Sequence, residues 1–320
     1  MTATSIIPQP ADAIHIARHV LGQEVAWVQR FPTGLCHYVY DVKLVGGERC
    51  VVRLASREHR RDLAGGIHWS RVLRPLGVPL PRLLASNPSA EPFPYMILER
   101  LDGRDLGEVV GSMSYRRRTQ LACTLARMQD LVGELPQREG YGYACTDQDD
   151  LPHRTWYAAV HSGFDRTEGW IRSVGVIDPG LVDRVRGAAA DLREELLAIE
   201  PRPFLHDITT KNVLIDAQGH LAGIVDVDSL CYGDPLQTVA LTRMSLLNMG
   251  GPLDYIDAWC DAMGATEEGA QHRLNLYTAG FAVAFLGELG QAFNKEAPVA
   301  VDPVARAKLE GIVTMVLDAF

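Results

Sequence analysis

The sequence has 320 residues, of which 47% are hydrophobic and 22% are charged. These proportions are typical of a folded globular protein and exclude a disordered or fibrous chain. The net charge is −9, and residues 200–320 account for it, with 16 acidic against 7 basic side chains. Because basic surfaces bind phosphate backbones, this acidic surplus argues against a nucleic-acid partner. It leaves open a cationic substrate, or charge kept for solubility alone.

Secretion, membrane-span and zinc-site signals are missing from the sequence. Residues 1–10 lack the basic start and apolar stretch of a secretion signal, and no apolar run is long enough to cross a bilayer. The six cysteines are scattered without a C-x-x-C motif or a Cys/His cluster, which argues against a zinc site and a disulfide framework. We therefore expect a cytoplasmic protein that does not bind membranes and has free, buried cysteines.

The N-terminal third alternates helix and strand patterns. Segment Asp12–Leu21 has apolar residues at helical spacing, and Trp27–Leu54 is typical of strands joined by hairpins. A helix pattern follows at Leu63–Arg74, and another strand pattern at Tyr95–Leu98. These elements predict a small lobe with an antiparallel sheet over residues 1–101.

Helix patterns dominate the rest of the chain. Residues 114–131 and 179–200 have apolar side chains at helical spacing, and the Gly-rich and Asp-rich stretch 139–150 between them is typical of a loop. Residues 235–320 are helical in pattern almost throughout, with Asp302-Pro303 at the start of the last helix. The sequence therefore predicts an α+β fold, in which a larger, mainly helical lobe over residues 102–320 follows the small one.

Three polar residues follow short strand patterns in the middle of the chain. Asp207 and Asn212 flank a loop between two β-branched runs, and Asp226 follows the next run, across a turn at residues 217–220. Phosphoryl transfer needs hard oxygen ligands for Mg²⁺ and a group that accepts or orients the hydroxyl proton. A carboxylate five residues before an amide, with a second carboxylate at a later strand end, can supply both.

These residues carry a resemblance to a known family. The spacing Asp207-x4-Asn212, the step across a hairpin to Asp226, and the closing Gly233-Asp234-Pro235 resemble the aminoglycoside phosphotransferase and choline-kinase-like family. The resemblance implies a protein-kinase-like bilobal fold. It implies Asp207 as the catalytic base, Asn212 as a metal ligand and Asp226 as the main Mg²⁺ ligand. It further implies ATP or GTP as the phosphoryl donor and a small-molecule hydroxyl as the acceptor.

The sequence departs from the family pattern at two places in this region. The family's histidine stands two residues before the catalytic aspartate, where this chain has Leu205, and His206 lies next to the aspartate instead. After Gly-Asp-Pro, the family continues with a second aspartate, where this chain has Thr238. The resemblance therefore leaves the support of the catalytic loop unexplained.

The N-terminal lobe resembles the family more loosely. Segment Phe31–Tyr40 is similar to the turn that covers the nucleotide phosphates, Val51–Leu54 to the strand with the phosphate-binding cation, and Tyr95–Gly103 to the strand that pairs with the purine. The resemblance implies nucleotide contacts at six residues: Gly34, His37, Arg53, Glu99, Arg100 and Leu101.

The usual partner of that cation is absent from the sequence. In the family, a glutamate on the following helix holds the cation, and this chain has Gly66 at the matching position. Glu58 or Asp62 are alternative partners for Arg53, and the sequence does not choose between them.

Several functions remain open. Residues 140–143 followed by Trp156 resemble the hygromycin and macrolide phosphotransferase relatives, which favours an antibiotic kinase. The alternatives are a housekeeping kinase for an amino alcohol or a sugar, and a nucleotide-binding regulator without turnover. A protein kinase is disfavoured, because the Asp-Phe-Gly and Ala-Pro-Glu signatures are absent. The acidic surplus predicts an acceptor pocket with carboxylates drawn from a set of six: Asp254, Asp257, Asp261, Glu267, Glu268 and Glu288.

Overall fold

The structure is a computed structural model that describes residues 7–32, 36–291, 293 and 299–320. The chain forms two compact units. The first contains the described residues up to Asp102 together with segments 145–148 and 223–229, and the second contains the remainder. The patterns along the chain did not predict that these two later segments belong with the N-terminal part. The lobe boundary expected at residue 101 stays a prediction.

The first unit is built on one five-stranded antiparallel sheet with two helices. The strands lie in the order β1-β2-β3-β5-β4. The strands are β1 (Val25–Arg30), β2 (Tyr38–Leu44), β3 (Arg49–Leu54), β4 (Leu83–Asn87) and β5 (Tyr95–Glu99), and the helices are α1 (Pro10–Leu21) and α2 (Arg60–Leu73).

Side chains of this sheet form two apolar clusters. Ala13 and Ala17 of α1 pack with Tyr40 and other residues of β2, β3 and β5, and the Tyr40 hydroxyl donates a hydrogen bond to the Pro8 carbonyl at 2.8 Å. The second cluster combines α2, through Leu63 and its neighbours, with apolar residues of β5. Successive residues of a strand point to opposite faces, so one strand can contribute to both clusters.

The second unit is mainly helical, as expected. Its other helices follow a short helix α3 (Leu106–Val109) and a 3₁₀ turn. They are α4 (Tyr115–Gly133), α5 (Trp156–Val174), α6 (Gly180–Asp191), α7 (Arg193–Ala198), α8 (Leu236–Met249), α9 (Asp254–Met263), α10 (Glu268–Glu288) and α11 (Pro303–Leu317). Among the described residues, no helix combines the length and the apolar character needed to cross a membrane.

Short strands accompany these helices. Strand β6 pairs antiparallel with β9, and β11 lies between β7 and β8 with both pairings antiparallel. Their bounds, with that of β10, are β6 (Arg104–Asp105), β7 (Gly142–Ala144), β8 (Arg202–Phe204), β9 (Val213–Ile215), β10 (Leu221–Ile224) and β11 (Leu230–Gly233). The α+β class predicted from the sequence is confirmed.

The helix signals in the sequence were right at some ends and incomplete elsewhere. Ser114 caps α4 by accepting a hydrogen bond from the Arg117 N–H. Asp302 caps α11 by accepting one from the Val304 N–H. The helix expected over residues 179–200 is two helices, α6 and α7, that meet at Leu192. Strand β7 lies inside the stretch expected to be a loop, because its residues pair with β11, which is distant in sequence.

An ion pair joins helices α4 and α9 in the second unit. The Arg118 guanidinium donates to both carboxylate oxygens of Asp254, at 2.7 Å from Nε and 2.5 Å from Nη2, and also to the Met113 carbonyl. These hydrogen bonds hold the pKa of Asp254 below its ordinary value, although partial burial acts in the opposite direction.

We expect Asp254→Asn to lower the free energy of unfolding at pH 7 by about 1 kcal/mol, the upper range for a partly exposed pair. The folded-state pKa of Asp254 is depressed, so the contribution is complete above about pH 4, the ordinary aspartate pKa, and is lost as the pH falls through the folded-state value. Urea unfolding at pH 7 and at pH 3 measures this difference. Asp261→Asn, at an exposed position of the same helix, is the control. Equal losses in both variants would contradict the assignment.

Candidate active site

The predicted base and metal ligand lie on one loop of the second unit. This loop leaves β8 after Phe204 and enters β9 at Val213. The amide nitrogen of Asn212 donates to the Asp207 backbone carbonyl at 3.0 Å, and the Thr209 hydroxyl donates to Asp207 Oδ1 at 3.2 Å. Because the Asn212 nitrogen is engaged, its Oδ1 is the atom left to accept a hydrogen bond or to bind a metal.

Two buried side chains hold the start of this loop by its backbone. Gln129 Nε2 donates to the Leu205 carbonyl at 2.8 Å, and Gln129 Oε1 accepts from the Leu205 N–H at 2.9 Å. The Thr238 hydroxyl donates to the same carbonyl at 2.7 Å. Leu205 therefore has both backbone groups satisfied two residues before Asp207. The threonine that replaces the family's second aspartate thus contacts the loop directly.

Sequence reasoning missed Gln129. It lies on the buried face of α4, where Leu121 and Leu125 precede it at four-residue intervals. A polar side chain in such an apolar stripe is a signal of a buried hydrogen bond, because burial without a partner is costly. The His206 ring lies edge-on to the Tyr143 ring, with 4.8 Å between centroids.

The first unit brings Arg53, Asp226 and Asp228 together. Arg53 lies on β3 and is 5% exposed, and its Nη2 donates to Asp226 Oδ1 at 2.7 Å and to Asp228 Oδ2 at 2.8 Å. The Nδ1 atom of buried His37 lies 2.5 Å from the same Nη2 and 3.2 Å from Asp228 Oδ2. The sequence left Glu58 and Asp62 open as partners of Arg53, and among the described residues neither one forms an ion pair with it. Asp228, which sequence reasoning did not select, is a partner of Arg53.

Electrostatics favour the charged forms of Arg53 and Asp228. Burial lowers the pKa of Arg53, but the carboxylates of Asp228 and Asp226 outweigh it and leave that pKa above its ordinary value. Burial likewise raises the pKa of Asp228, while Arg53 and His37 depress it, so the net shift is downward. A buried guanidinium is thus compensated by two carboxylates.

Asp226 has an unusual backbone conformation. Its φ is +64°, in the left-handed region. Aspartate visits this region more readily than most residues, but the conformation still has an energetic cost. Such strain is often found where a side chain must point in a direction that regular structure does not allow. The conformation is consistent with a functional role for this carboxylate.

The other predicted nucleotide contacts fall at the end of β5 and beyond. Glu99 ends the strand, and its N–H donates to the Arg82 carbonyl at 2.9 Å. The Arg100 guanidinium donates to the Leu101 carbonyl at 2.6 Å and lies over the Phe31 ring. Two backbone groups of the predicted purine-binding stretch therefore already have partners in the first unit. Gly34 lies outside the described residues.

The Gly-Asp-Pro motif organises aromatic side chains of the second unit. A Cβ at Gly233 would lie 2.2 Å from the Trp156 ring, so only glycine permits this packing. Asp234 Oδ2 accepts hydrogen bonds from Arg273 Nε and the Tyr277 hydroxyl, both at 3.0 Å. The Tyr277 oxygen in turn accepts from Trp156 Nε1 at 2.7 Å. One buried carboxylate thus fixes two aromatic rings.

These two rings line a cavity of about 300 Å³ in the second unit. The Phe164, Phe281 and Tyr143 rings and the Arg166 side chain also line it. Because the Tyr143 ring also contacts His206, the cavity lies beside the loop that carries Asp207.

The cavity differs from the acidic pocket that the sequence predicted. None of the six candidate carboxylates is among the residues that line it. Asp254 pairs with Arg118, and Glu267 lies 3.7 Å from Arg273. Glu288 is half-buried: burial raises its pKa, and Arg166 and Lys211 partly offset that rise.

Three solved structures that resemble this one are named as phosphotransferases or as a kinase. Aminoglycoside phosphotransferase APH(4)-Ia in ternary complex with ADP and hygromycin B, a thermostable mutant, has a TM-score of 0.63 at 18% identity over 94% of this chain and 97% of that one. The GDP complex of aminoglycoside 2'-phosphotransferase-IIIa has 0.67 at 15% identity, covering 98% and 99%. A proposed fructosamine-3-kinase from Thermobifida fusca YX-ER1 has 0.61 at 18%, covering 94% and 98%. The fold is therefore protein-kinase-like.

Residues 27–275 match the sequence pattern of the phosphotransferase enzyme family, APH. Since this match spans more than half of the chain, the protein belongs to the phosphotransferase enzyme family, and the resemblance inferred from the sequence is confirmed. Its class is that of small-molecule phosphotransferases. A comparison with curated protein sequences found no match.

We expect Gln129→Leu to destabilise the protein by about 1 to 3 kcal/mol, because the Leu205 N–H loses its hydrogen bond while buried. Thr238→Val should cost less, since the Leu205 carbonyl keeps the bond from Gln129. Urea unfolding of both variants measures the difference. If Thr238→Val proved the more damaging, the Leu205 N–H would not be the group that depends on Gln129.

Proposed function

We propose that this protein transfers the γ-phosphoryl group of ATP or GTP to a hydroxyl group of a small molecule. One observation carries the proposal: Asn212 closes the loop back onto the Asp207 backbone and leaves an amide oxygen and a carboxylate on the same short segment. Membership of the phosphotransferase enzyme family supports it. In this proposal, Asp207 is the catalytic base that orients and accepts the proton of the acceptor hydroxyl.

The nucleotide is proposed to be bound through the first unit. Arg53 supplies a fixed positive charge for the phosphates, and His37 lies against it. Glu99, Arg100 and Leu101 remain the predicted purine contacts, as does Gly34 for the phosphate turn. Two of the solved structures of the same fold are named as complexes with ADP and GDP, which supports a nucleotide donor without choosing the base.

Asp226 and Asn212 are the proposed Mg²⁺ ligands. Oxygen donors suit this hard cation, and the Asp226 carboxylate is 47% exposed, so it is accessible to solvent ions. Ligand atoms of Asp228 and His37 lie within 4.8 Å of the Asp226 carboxylate, but both residues contact Arg53. When bound, Mg²⁺ would neutralise charge on the phosphates.

The cavity of the second unit is the proposed acceptor site. Its aromatic lining favours an acceptor with an apolar face, and none of the described residues that line it carries a carboxylate to attract a polycation. At about 300 Å³ the cavity is at the small end of ligand pockets, which span about 300–1,000 Å³. These features favour a housekeeping kinase for a metabolite-sized hydroxyl compound over an antibiotic kinase.

Asp207→Asn is expected to lower kcat by about 10²- to 10⁴-fold, the range for loss of a positioned general base, while nucleotide affinity is retained. A nucleotide-consumption screen across aminoglycosides, macrolides, amino alcohols and sugars provides the acceptor for this measurement. The melting temperature is recorded with it. A variant that is thermally weakened but nearly fully active would refute the catalytic role, because an asparagine can preserve a turn.

Filling the cavity should impair acceptor binding alone. We expect Ala284→Phe, which adds a ring to the cavity wall, to raise KM for the acceptor by about 10-fold or more and to leave KM for the nucleotide unchanged. Val304→Phe adds the same ring at a position that is 75% exposed and serves as the control. Equal acceptor KM values in both variants would place the acceptor elsewhere, and a screen positive only for aminoglycosides would remove the proposed acceptor class.

A further inference from the structure

Helix α2 contains two adjacent glycines, Gly65 and Gly66, at its centre. A glycine inside a helix costs about 1 kcal/mol relative to alanine. Both residues are buried, so they do not mark a frayed end or an exposed turn. A pair of interior glycines therefore needs a reason in packing.

The reason is the close approach of the segment at Asp228. A Cβ on Gly65 would lie 2.1 Å from the Asp228 carbonyl oxygen, and a Cβ on Gly66 would lie 2.5 Å from Asp228 Oδ1. Real Cβ atoms do not approach other atoms this closely. Any larger residue at either position would displace Asp228.

The Asp228 carboxylate is fixed on both sides. Its Oδ2 accepts the hydrogen bond from Arg53 Nη2 at 2.8 Å, while its Oδ1 is buried against Gly66 and has no hydrogen-bond partner among the described residues. A buried charged oxygen without a hydrogen bond costs free energy. The hydrogen bond between Asp228 Oδ2 and Arg53 must therefore outweigh the cost of the unpaired Oδ1. With a side chain 23% exposed, against 47% for Asp226, Asp228 is the less solvent-screened of the two carboxylates.

We propose that Asp228 is the positioning residue that holds Arg53 for the nucleotide phosphates, and that Gly66 is the matching adaptation which makes room for it. The carboxylate comes from the segment after β10 instead of from helix α2, where the family has its glutamate. The inference rests on the proposed function, in which Asp226 is committed to Mg²⁺ and Asp228 stays with Arg53. Asp228 then takes the place of the missing glutamate as the partner of Arg53. The absence of that glutamate therefore does not indicate a loss of turnover.

Calorimetric binding of ATP and of GTP without Mg²⁺, in EDTA, tests Arg53 separately from the metal ligands. We expect Asp228→Asn, which keeps the shape and removes the charge, to weaken binding of the preferred triphosphate by about 10-fold. Binding of the corresponding nucleoside should be unchanged. Under turnover conditions, KM for the nucleotide should rise more than kcat falls.

Gly66→Ala should have the same effect through displacement of Asp228. Gly169→Ala is the matched control, because Gly169 is an exposed helical glycine with nothing within 4 Å of its Cβ position. The control should keep wild-type triphosphate affinity. If Gly66→Ala bound the triphosphate as tightly as the control does, Gly66 would not be an adaptation for Asp228.

An exchange of the two positions provides the sharpest test. The double variant Gly66→Glu with Asp228→Ala places a carboxylate on the helix and opens the space that Asp228 occupies. It should regain triphosphate affinity relative to Asp228→Ala alone, which a purely structural role for Asp228 does not predict. Folding of each variant is confirmed by its melting temperature, and a folded double variant without recovery would overturn the proposal.

Triphosphate binding distinguishes a failure of the proposed function from a failure of the role of Asp228. If the wild-type protein binds neither ATP nor GTP, the proposed function fails. If the wild type binds a triphosphate and Asp228→Asn binds it equally well, only the role of Asp228 fails. A variant that loses melting temperature but keeps its triphosphate affinity gives the second result.

Discussion

The buried guanidinium of Arg53 is the constraint on which much of the first unit depends. A charge that is almost completely removed from water is tolerated only when opposite charges and hydrogen-bond acceptors surround it. Here Asp226, Asp228 and His37 provide them. Two of these three residues come from a segment more than 170 positions later in the chain. The need to compensate one charge therefore accounts for a long-range connection within the unit, and for the two glycines of α2 that permit it.

Hydrogen bonds between buried polar groups also determine contacts within the second unit. The loop with Asp207 begins in a buried backbone segment, and every polar group there must find a partner. Gln129 and Thr238 satisfy the backbone of Leu205 from two different helices. Likewise, Asp234 satisfies Arg273 and Tyr277, and through Tyr277 it fixes Trp156. The candidate loop and the wall of the cavity are therefore set by hydrogen bonds in a low-dielectric interior, where such bonds are strong.

The positions that depart from the family pattern lie at polar contacts of the structure. Leu205 and Thr238 replace a histidine and an aspartate, and the structure pairs a backbone group of the first with the hydroxyl of the second. Gly66 stands where the family pattern has a glutamate, and it lies against the Asp228 carboxylate that pairs with Arg53. Each of these positions takes part in, or lies against, a polar interaction of this structure. Single motif positions do not reveal these contacts, because other residues take part in them.

The sequence by itself determined the α+β class, the order of the principal elements and the family. The helix pattern from residue 114, the Asp302-Pro303 helix start, and the spacing of Asp207, Asn212 and Asp226 are local features that depend on few neighbours. The pairing of Arg53 with Asp228, the support of the loop by Gln129 and the aromatic cavity were decided by tertiary structure alone. They join residues that are far apart in the chain, and their energies depend on burial and on distances that residue spacing does not contain. For the same reason, the acidic surplus of residues 200–320 could not tell which carboxylates face a pocket and which pair with an arginine.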